Sequence, residues 1–281
     1  MLDVSLAPPP APDAPFEDHI AWARTAPVTP ATPATLFPDG LEATPVAGRL
    51  AEDPPPWDYP ALAKDLVTGA GGSVLDVGTG DGELFAGLAP LPAGSAATES
   101  GHTFLAARRR LEPLGVDVRQ VQASAGEVLL PFFDARYSVV LSRFGAFDPV
   151  EVARVLAPGG TFCTEQIDSR DGIGVAKALG LPLPWDPDDV TVDVIADSLV
   201  DSGLEVAEAK EHAGTRTFKD LATVLWYLRV ATWLVPGLAY LTPAAVARHE
   251  AGLRALHLRF AAGHELVDEA PRILVTARKP A

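Results

Sequence analysis

The chain has 281 residues, room for one large domain or two small ones with a sizeable buried core. Its 22 basic and 37 acidic side chains leave a formal charge of −15, a surface that repels phosphate backbones and argues against nucleic acid as a partner. The one cysteine, Cys163, can form neither a disulfide within the chain nor a paired-thiolate zinc site, so no metal is expected and a reducing, cytoplasmic setting fits.

Residues 1–55 carry the runs APPPAPDAP and APVTPATPAT and read as an N-terminal arm or lid, because proline of this density favours extended, weakly packed chain. Between the two runs, FEDHIAWAR predicts a short helix with Phe16, Ile20 and Trp22 turned inward. No basic start followed by an apolar run opens the chain, so no secretory signal is read there.

From Ser73 the pattern becomes strand, turn, helix, repeated. SVLDVG predicts a buried strand and DGELFAGLA the helix after it; AATE is a second strand, followed by the helix HTFLAARRRLEPLG. VDVRQVQ alternates as a strand, YSVVLSRF is a fourth, DPVEVARVL is a helix ended by Pro158-Gly159-Gly160, and TFCTEQI is a fifth strand. The helix VTVDVIADSLVDSGL stops at Gly203, EVAEAKEH is a strand, and APRILVTARK closes the chain as another. Such alternation indicates an α/β, Rossmann-like, mostly parallel sheet covered by helices on both faces. A helical stretch over 218–263 is too long for a simple crossover and reads as an insertion before the last strand. Domain boundaries follow: arm 1–55, core 56–217, helical cap 218–263, and a C-terminal segment 264–281 that completes the core sheet. Leu221 to Leu241 approaches the length of a membrane span, but Arg229 and Pro236-Gly237 interrupt it, so a buried or interfacial helix is expected.

Ligands of such sheets bind beyond the carboxyl ends of the strands, where the turn after the first strand holds Gly78, Gly80 and Gly82. A dinucleotide fingerprint would need a third glycine where Glu83 stands, and a carboxylate there would face the pyrophosphate. The run Asp76-Val77-Gly78-Thr79-Gly80-Asp81-Gly82-Glu83 instead resembles motif I of the class I S-adenosylmethionine-dependent methyltransferases, whose cofactor carries no phosphate and two positive groups. The likeness spans about residues 57–170 and continues more weakly to the C-terminus.

That resemblance implies a seven-stranded sheet whose final strand runs antiparallel beside the fifth, and S-adenosylmethionine as cofactor with S-adenosylhomocysteine as product. It implies a cofactor site of Asp76, Gly78, Thr79, Gly80, Glu99, Ser100, Ser124, Ala125 and Ser142. Glu99, closing the second strand, matches the acidic residue that accepts bonds from both ribose hydroxyls, and Ser100 lies beside the adenine. Many relatives have an Asp after the third strand; Ala123-Ser124-Ala125-Gly126 stands here, leaving Ser124 as a weaker partner. Trp57-Asp58-Tyr59 resembles a Trp-x-Tyr pattern found before motif I in a bacterial group, although Phe144-Gly145 replaces the His-Glu often seen in that group.

The implied activity is methyl transfer to a small-molecule acceptor, by O- or N-methylation of a natural product or other secondary metabolite. The alternatives are an RNA methyltransferase, which the charge disfavours, and a non-catalytic cofactor-binding member of the fold. Phenol or hydroxyl acceptors need a base. None of the six histidines, His19, His102, His212, His249, His257 and His264, has a partner fixed by spacing, whereas Glu165 ends the fifth strand and is the candidate base or acceptor-orienting group. Trp57, Tyr59, Arg143, Phe144, Gln166, Trp226, Arg229 and Trp233 are the candidate acceptor pocket, the last three on one face of the helical stretch. That aromatic face would either roof the acceptor site or pack the insertion onto the sheet.

Overall fold

The computed structural model describes residues 8–25, 44–124, 127–183, 186–231 and 242–281. In chain order the elements begin α1 (Phe16–Thr25), β1 (Leu50–Glu52), α2 (Tyr59–Thr68), β2 (Val74–Val77), α3 (Glu83–Gly87), β3 (Ala96–Glu99), α4 (Phe104–Leu111), β4 (Asp117–Gln120), β5 (Ala123–Ser124), β6 (Glu127–Val128) and β7 (Tyr137–Arg143). They continue α5 (Pro149–Val155), β8 (Leu156–Ile167), α6 (Ile173–Ala178), α7 (Val192–Asp201), β9 (Glu205–His212), β10 (Thr215–Phe218), α8 (Leu221–Val230), α9 (Pro243–Arg248), α10 (Glu250–Ala261), β11 (Leu266–Glu269) and β12 (Arg272–Arg278).

One compact unit comprises Pro55–Asp168, Asp188–His212 and Arg272–Ala281. It is built on a seven-stranded sheet in the order β4-β3-β2-β7-β8-β12-β9. The pairs β2–β3, β2–β7, β3–β4 and β7–β8 are parallel, and β12 is antiparallel to both its neighbours. Six strands therefore share one direction, and the C-terminal strand β12 enters between β8 and β9, beside TFCTEQI as the resemblance implies. Alternate residues of each strand feed two cores. Val74, Ala97, Val139, Leu141 and Leu274 pack against α2, α3 and α4 through Tyr59, Ala63, Phe85, Ala107 and Leu111. Leu75, Ala96, Val140, Phe162, Ile273 and Val275 pack against α5 and α7 through Val152, Val155, Ile195 and Leu199. Each such side chain is worth about 1.5–3 kcal/mol on burial, which fixes the register of a sheet covered on both faces.

Local signals set the helix ends. Asp58 and Asp148 cap α2 and α5 through their carboxylates, each with a proline in the first turn. Thr191 caps α7, which closes on the left-handed Gly203. Helix α5 stops at Val155, earlier than the Pro158-Gly159-Gly160 turn suggested. The chain is already extended at Leu156, and the proline and glycines form an irregularity in the β7–β8 register, Tyr137 pairing with Leu156 but Val139 with Thr161.

The other unit draws on Met1–Pro54, Ser169–Pro187 and Ala213–Pro271. Phe16, Ile20 and Ala23 of α1, spaced four and three apart, join Phe218, Leu221, Leu225, Tyr227 and Leu253 in its core, with Trp22 half-buried against them. A small antiparallel sheet, β1-β10-β11, lies in the same unit. The sequence reading has no strand at these three places, because runs of three or four residues such as LAE and TRTF carry too little alternation to register. Arg216 of β10 is fully buried, with Asp171 at 3.1 Å, Asp268 at 3.2 Å and Glu52 at 3.0 Å, and its guanidinium stands 4.4 Å over the Tyr227 ring. Among the described residues, no helix is long and apolar enough to cross a membrane.

Candidate active site

The carboxyl ends of β2, β3, β7 and β8 collect most of the residues singled out from sequence. Asp76, near the end of β2, is 6% exposed. Burial pushes its carboxyl up to about 7, the charge of Glu99 adds to the rise, and the Thr79 hydroxyl opposes it. The Thr79 oxygen is itself buried and has no hydrogen-bond partner of good geometry. Glu99, at the end of β3, accepts the Gly80 backbone N–H on Oε2 at 2.8 Å and the Gly101 N–H on Oε1 at 2.6 Å. Its carboxylate is thereby locked in orientation, with the second lone pair of each oxygen left over.

The glycines divide by what requires them. Gly78 has φ +72°, and a Cβ there would stand 3.0 Å from the Gly145 Cα. Gly82, at φ +81°, would place a Cβ 2.8 Å from the Leu111 side chain of α4. Both are glycine because protein presses on them and because glycine adopts the left-handed backbone at little steric cost, where a side chain would be strained. Gly80, at φ +64°, turns its N–H onto Glu99.

At the ends of β7 and β8 a second group gathers around Glu165, which is 2% exposed. The Trp57 indole N–H donates to its Oε1 at 2.7 Å, and Arg143 Nε donates to its Oε2 at 2.6 Å. The Arg143 guanidinium lies 4.8 Å from the Phe144 ring centroid and 5.7 Å from that of Tyr59. Tyr59 donates its hydroxyl to the Cys163 carbonyl at 3.3 Å, and burial raises its phenol well above the usual value. Burial also pushes the Cys163 thiol up to about 12, which makes it a packing residue rather than a nucleophile. Ser142 is buried and bonds the Gly145 carbonyl at 3.3 Å, as does Gln166 through Nε2 at 3.0 Å. Phe144 has φ +54°, a rare setting for a bulky side chain. That turn carries the chain from Arg143 to Gly145, which seats against Gly78.

Ser100 is exposed just beyond β3. Ser124 lies in the short strand β5, paired with Glu127 of β6, while Ala125 lies outside the described residues. Trp226 and Arg229 belong to α8 in the other unit, where Trp226 is 5% exposed in the hydrophobic core and Arg229 bonds the Ala23 carbonyl and stands 5.2 Å over the Trp22 ring. Trp233 lies outside the described residues. Sequence reasoning missed one member of the edge, Arg272, and left another, His212, among six histidines with no partner assigned. His212, ending β9, makes an edge contact with the Trp57 ring at 6.3 Å, and Arg272, starting β12, lies 5.9 Å from the Phe144 ring. The antiparallel direction of β12, already expected, brings its first residue to this edge and was the signal available for Arg272.

Solved structures share this arrangement. A candidate methyltransferase of Bacillus halodurans superposes with a TM-score of 0.52 at 20% identity, covering 79% of this chain and 99% of that one. The YcgJ protein of Bacillus subtilis superposes with a TM-score of 0.50 at 17% identity, covering 79% and 98%. The fold is that of the class I methyltransferases. No family model matches the sequence, and no curated protein matches it. At these identities the methyltransferase likeness is one of architecture, and what the site binds must be argued from its own groups.

Proposed function

We propose that the chain is an S-adenosylmethionine-dependent methyltransferase acting on a small-molecule acceptor at oxygen or nitrogen. The observation that carries this reading is the pair of buried carboxylates, Asp76 and Glu99, set against a left-handed glycine turn. A phosphate-bearing nucleotide would meet two negative charges there, whereas an ammonium and a sulfonium are drawn to them. The buried Thr79 hydroxyl beside the Asp76 carboxyl is a further polar atom in the same place.

On this reading Asp76, Thr79 and the Gly80 turn hold the methionine part, and Glu99 and Ser100 hold the ribose and adenine. Ser124 and Ser142 flank them. When bound, S-adenosylmethionine supplies an activated methyl group on a sulfonium. The chain's own task is to hold the acceptor atom in line with it, and orientation of this kind supplies about 7–11 kcal/mol of a barrier. Trp57, Phe144 and Gln166 offer walls and a polar contact at the neighbouring strand ends, with Tyr59 buried behind them in the core. Glu165 suits a positioning role better than that of base, since both its oxygens are already engaged and it fixes Trp57 and Arg143 together. The test is calorimetric titration with S-adenosylhomocysteine, then turnover of S-adenosylmethionine on a panel of phenols and amines. Absence of cofactor binding would remove the reading.

A further inference from the structure

We infer that the acceptor carries an anionic group, a carboxylate on a flat apolar body, held by the guanidinium of Arg143. This rests on the methyltransferase reading and names the class of its acceptor.

Arg143 spends one donor, Nε, on Glu165. Among the described residues its two terminal amino groups have no hydrogen-bond partner. Its Cζ lies 4.8 Å from the Phe144 ring centroid and 5.7 Å from that of Tyr59. A guanidinium so placed exchanges hydrogen bonds only in its own plane, and the in-plane fork of two amino groups matches the two oxygens of a carboxylate. The side chain is 26% exposed where that of Glu165 is 3%, so part of Arg143 stays accessible while the pinning carboxylate is sealed. The long side chain loses its freedom on folding, through Glu165 and the two rings, rather than on binding.

Position supports the same assignment. Val77 pairs with Ser142, so Arg143 leaves β7 beside the glycine turn, and Gly145, two residues on, packs on Gly78. The edge is thus sorted by charge. Carboxylates Asp76 and Glu99 stand at β2 and β3, and a guanidinium stands at β7, with the Arg272 guanidinium 5.9 Å from the Phe144 ring centroid. A cationic cofactor and an anionic acceptor placed at adjacent strand ends attract one another. The chain's charge of −15 repels an anion at a distance, so recognition of one requires a local, preorganised cation. The opposing charge at this spot is Glu165, partly offset by the Trp57 N–H at 2.7 Å. Phe144 and Trp57 supply flat apolar surface next to the fork.

The test uses three aromatic acids, benzoate, 4-hydroxybenzoate and indole-3-acetate, each against its neutral amide, titrated into the full chain saturated with S-adenosylhomocysteine. At least one acid should bind about tenfold or more tighter than its amide, the scale of a charge-assisted pair. Arg143→Gln should abolish that preference and leave the S-adenosylhomocysteine Kd within about twofold. Glu165→Gln removes the competing charge but leaves one acceptor oxygen for two donors, so it should change the acid–amide preference several-fold and leave the S-adenosylhomocysteine Kd within about twofold; this keeps the test decisive if Arg143→Gln does not fold. Equal binding of acids and amides, no binding of either, or a preference that survives in Arg143→Gln or is unmoved in Glu165→Gln overturns the assignment. Failure of S-adenosylhomocysteine to bind the wild type sinks the methyltransferase reading instead, and the acid–amide comparison then runs on the cofactor-free protein.

Discussion

Asp76→Asn should stabilise the free protein while weakening its grip on the cofactor. The folded-state value of Asp76, about 7, lies above the ordinary carboxyl value of 3.8. The unfolded chain therefore gives up this proton first, and the stability that the neutral, buried carboxyl provides is complete below pH 4 and is lost as pH rises through 7. Between pH 5 and 7 the loss is about 1.4 kcal/mol per unit, about 3 kcal/mol in all. An asparagine stays neutral throughout, so the stability difference between variant and wild type should shift in the variant's favour by about 3 kcal/mol from pH 5 to pH 8. Burial of the amide costs about 1–3 kcal/mol, but that cost does not change with pH. Asp268, whose carboxyl burial also raises to about 7, is common to both proteins and cancels. Urea unfolding at pH 5, 6, 7 and 8 measures the difference. Calorimetry at pH 8 should show the opposite sign for S-adenosylhomocysteine, weaker by about 1.5–3 kcal/mol through loss of a charge-assisted contact to its ammonium. A stability gap that stays constant with pH, or cofactor affinity untouched by the substitution, would refute the reasoning.

Glu99→Ala should weaken S-adenosylhomocysteine binding by roughly 2–4 kcal/mol, from two lost bonds to a charged acceptor, and calorimetry on a folded variant with unchanged affinity would reject the ribose assignment. Gly78→Ala should cost about 1–3 kcal/mol in the denaturant midpoint, since φ +72° strains any side chain and the clash is with the Gly145 backbone. Gly82→Ala meets the Leu111 side chain instead, so Leu111→Ala should relieve part of its cost, leaving a double mutant less destabilised than the sum of the singles. Arg216→Met strands Asp171 and Asp268 in the interior and should cost about 3–5 kcal/mol, read from thermal unfolding followed by a probe in that unit.

The parallel sheet was legible because its central strands are buried on both faces. Continuous apolar runs such as VLDV and YSVVL, separated by helices with their own caps, leave few other readings. Glu99, Asp76 and Glu165 were legible because each sits at the end of such a strand, and strand ends of one sheet edge must converge. What joined them was not legible. Nothing in the spacing of Trp57, Arg143 and Glu165, separated by 86 and 22 positions in the chain, announces that one carboxylate binds both partners. That contact depends on how α2's leading turn and the β7–β8 register meet. The Arg216 cluster was invisible for the same reason, since it draws one residue each from four segments that are distant in sequence.

The glycine turn shows why the fold and the ligand must be argued from different residues. Gly78 is required by the Gly145 backbone and Gly82 by Leu111, so two of the three glycines would be needed whether or not anything is bound. A glycine pattern at this turn is evidence for a tight strand–helix connection and for little else. The carboxylates are different. Holding Asp76 buried at a raised pKa with Glu99 beside it works against folding at neutral pH, and no packing need is met by a charge at Asp76 that Asn would not meet. A destabilising pair retained at the open ends of a parallel sheet is explained by a cationic ligand that lowers its energy on arrival. On the proposed reading Arg143 answers the same logic on the neighbouring strand with the opposite sign, and the two halves together would take a positive cofactor and a negative acceptor.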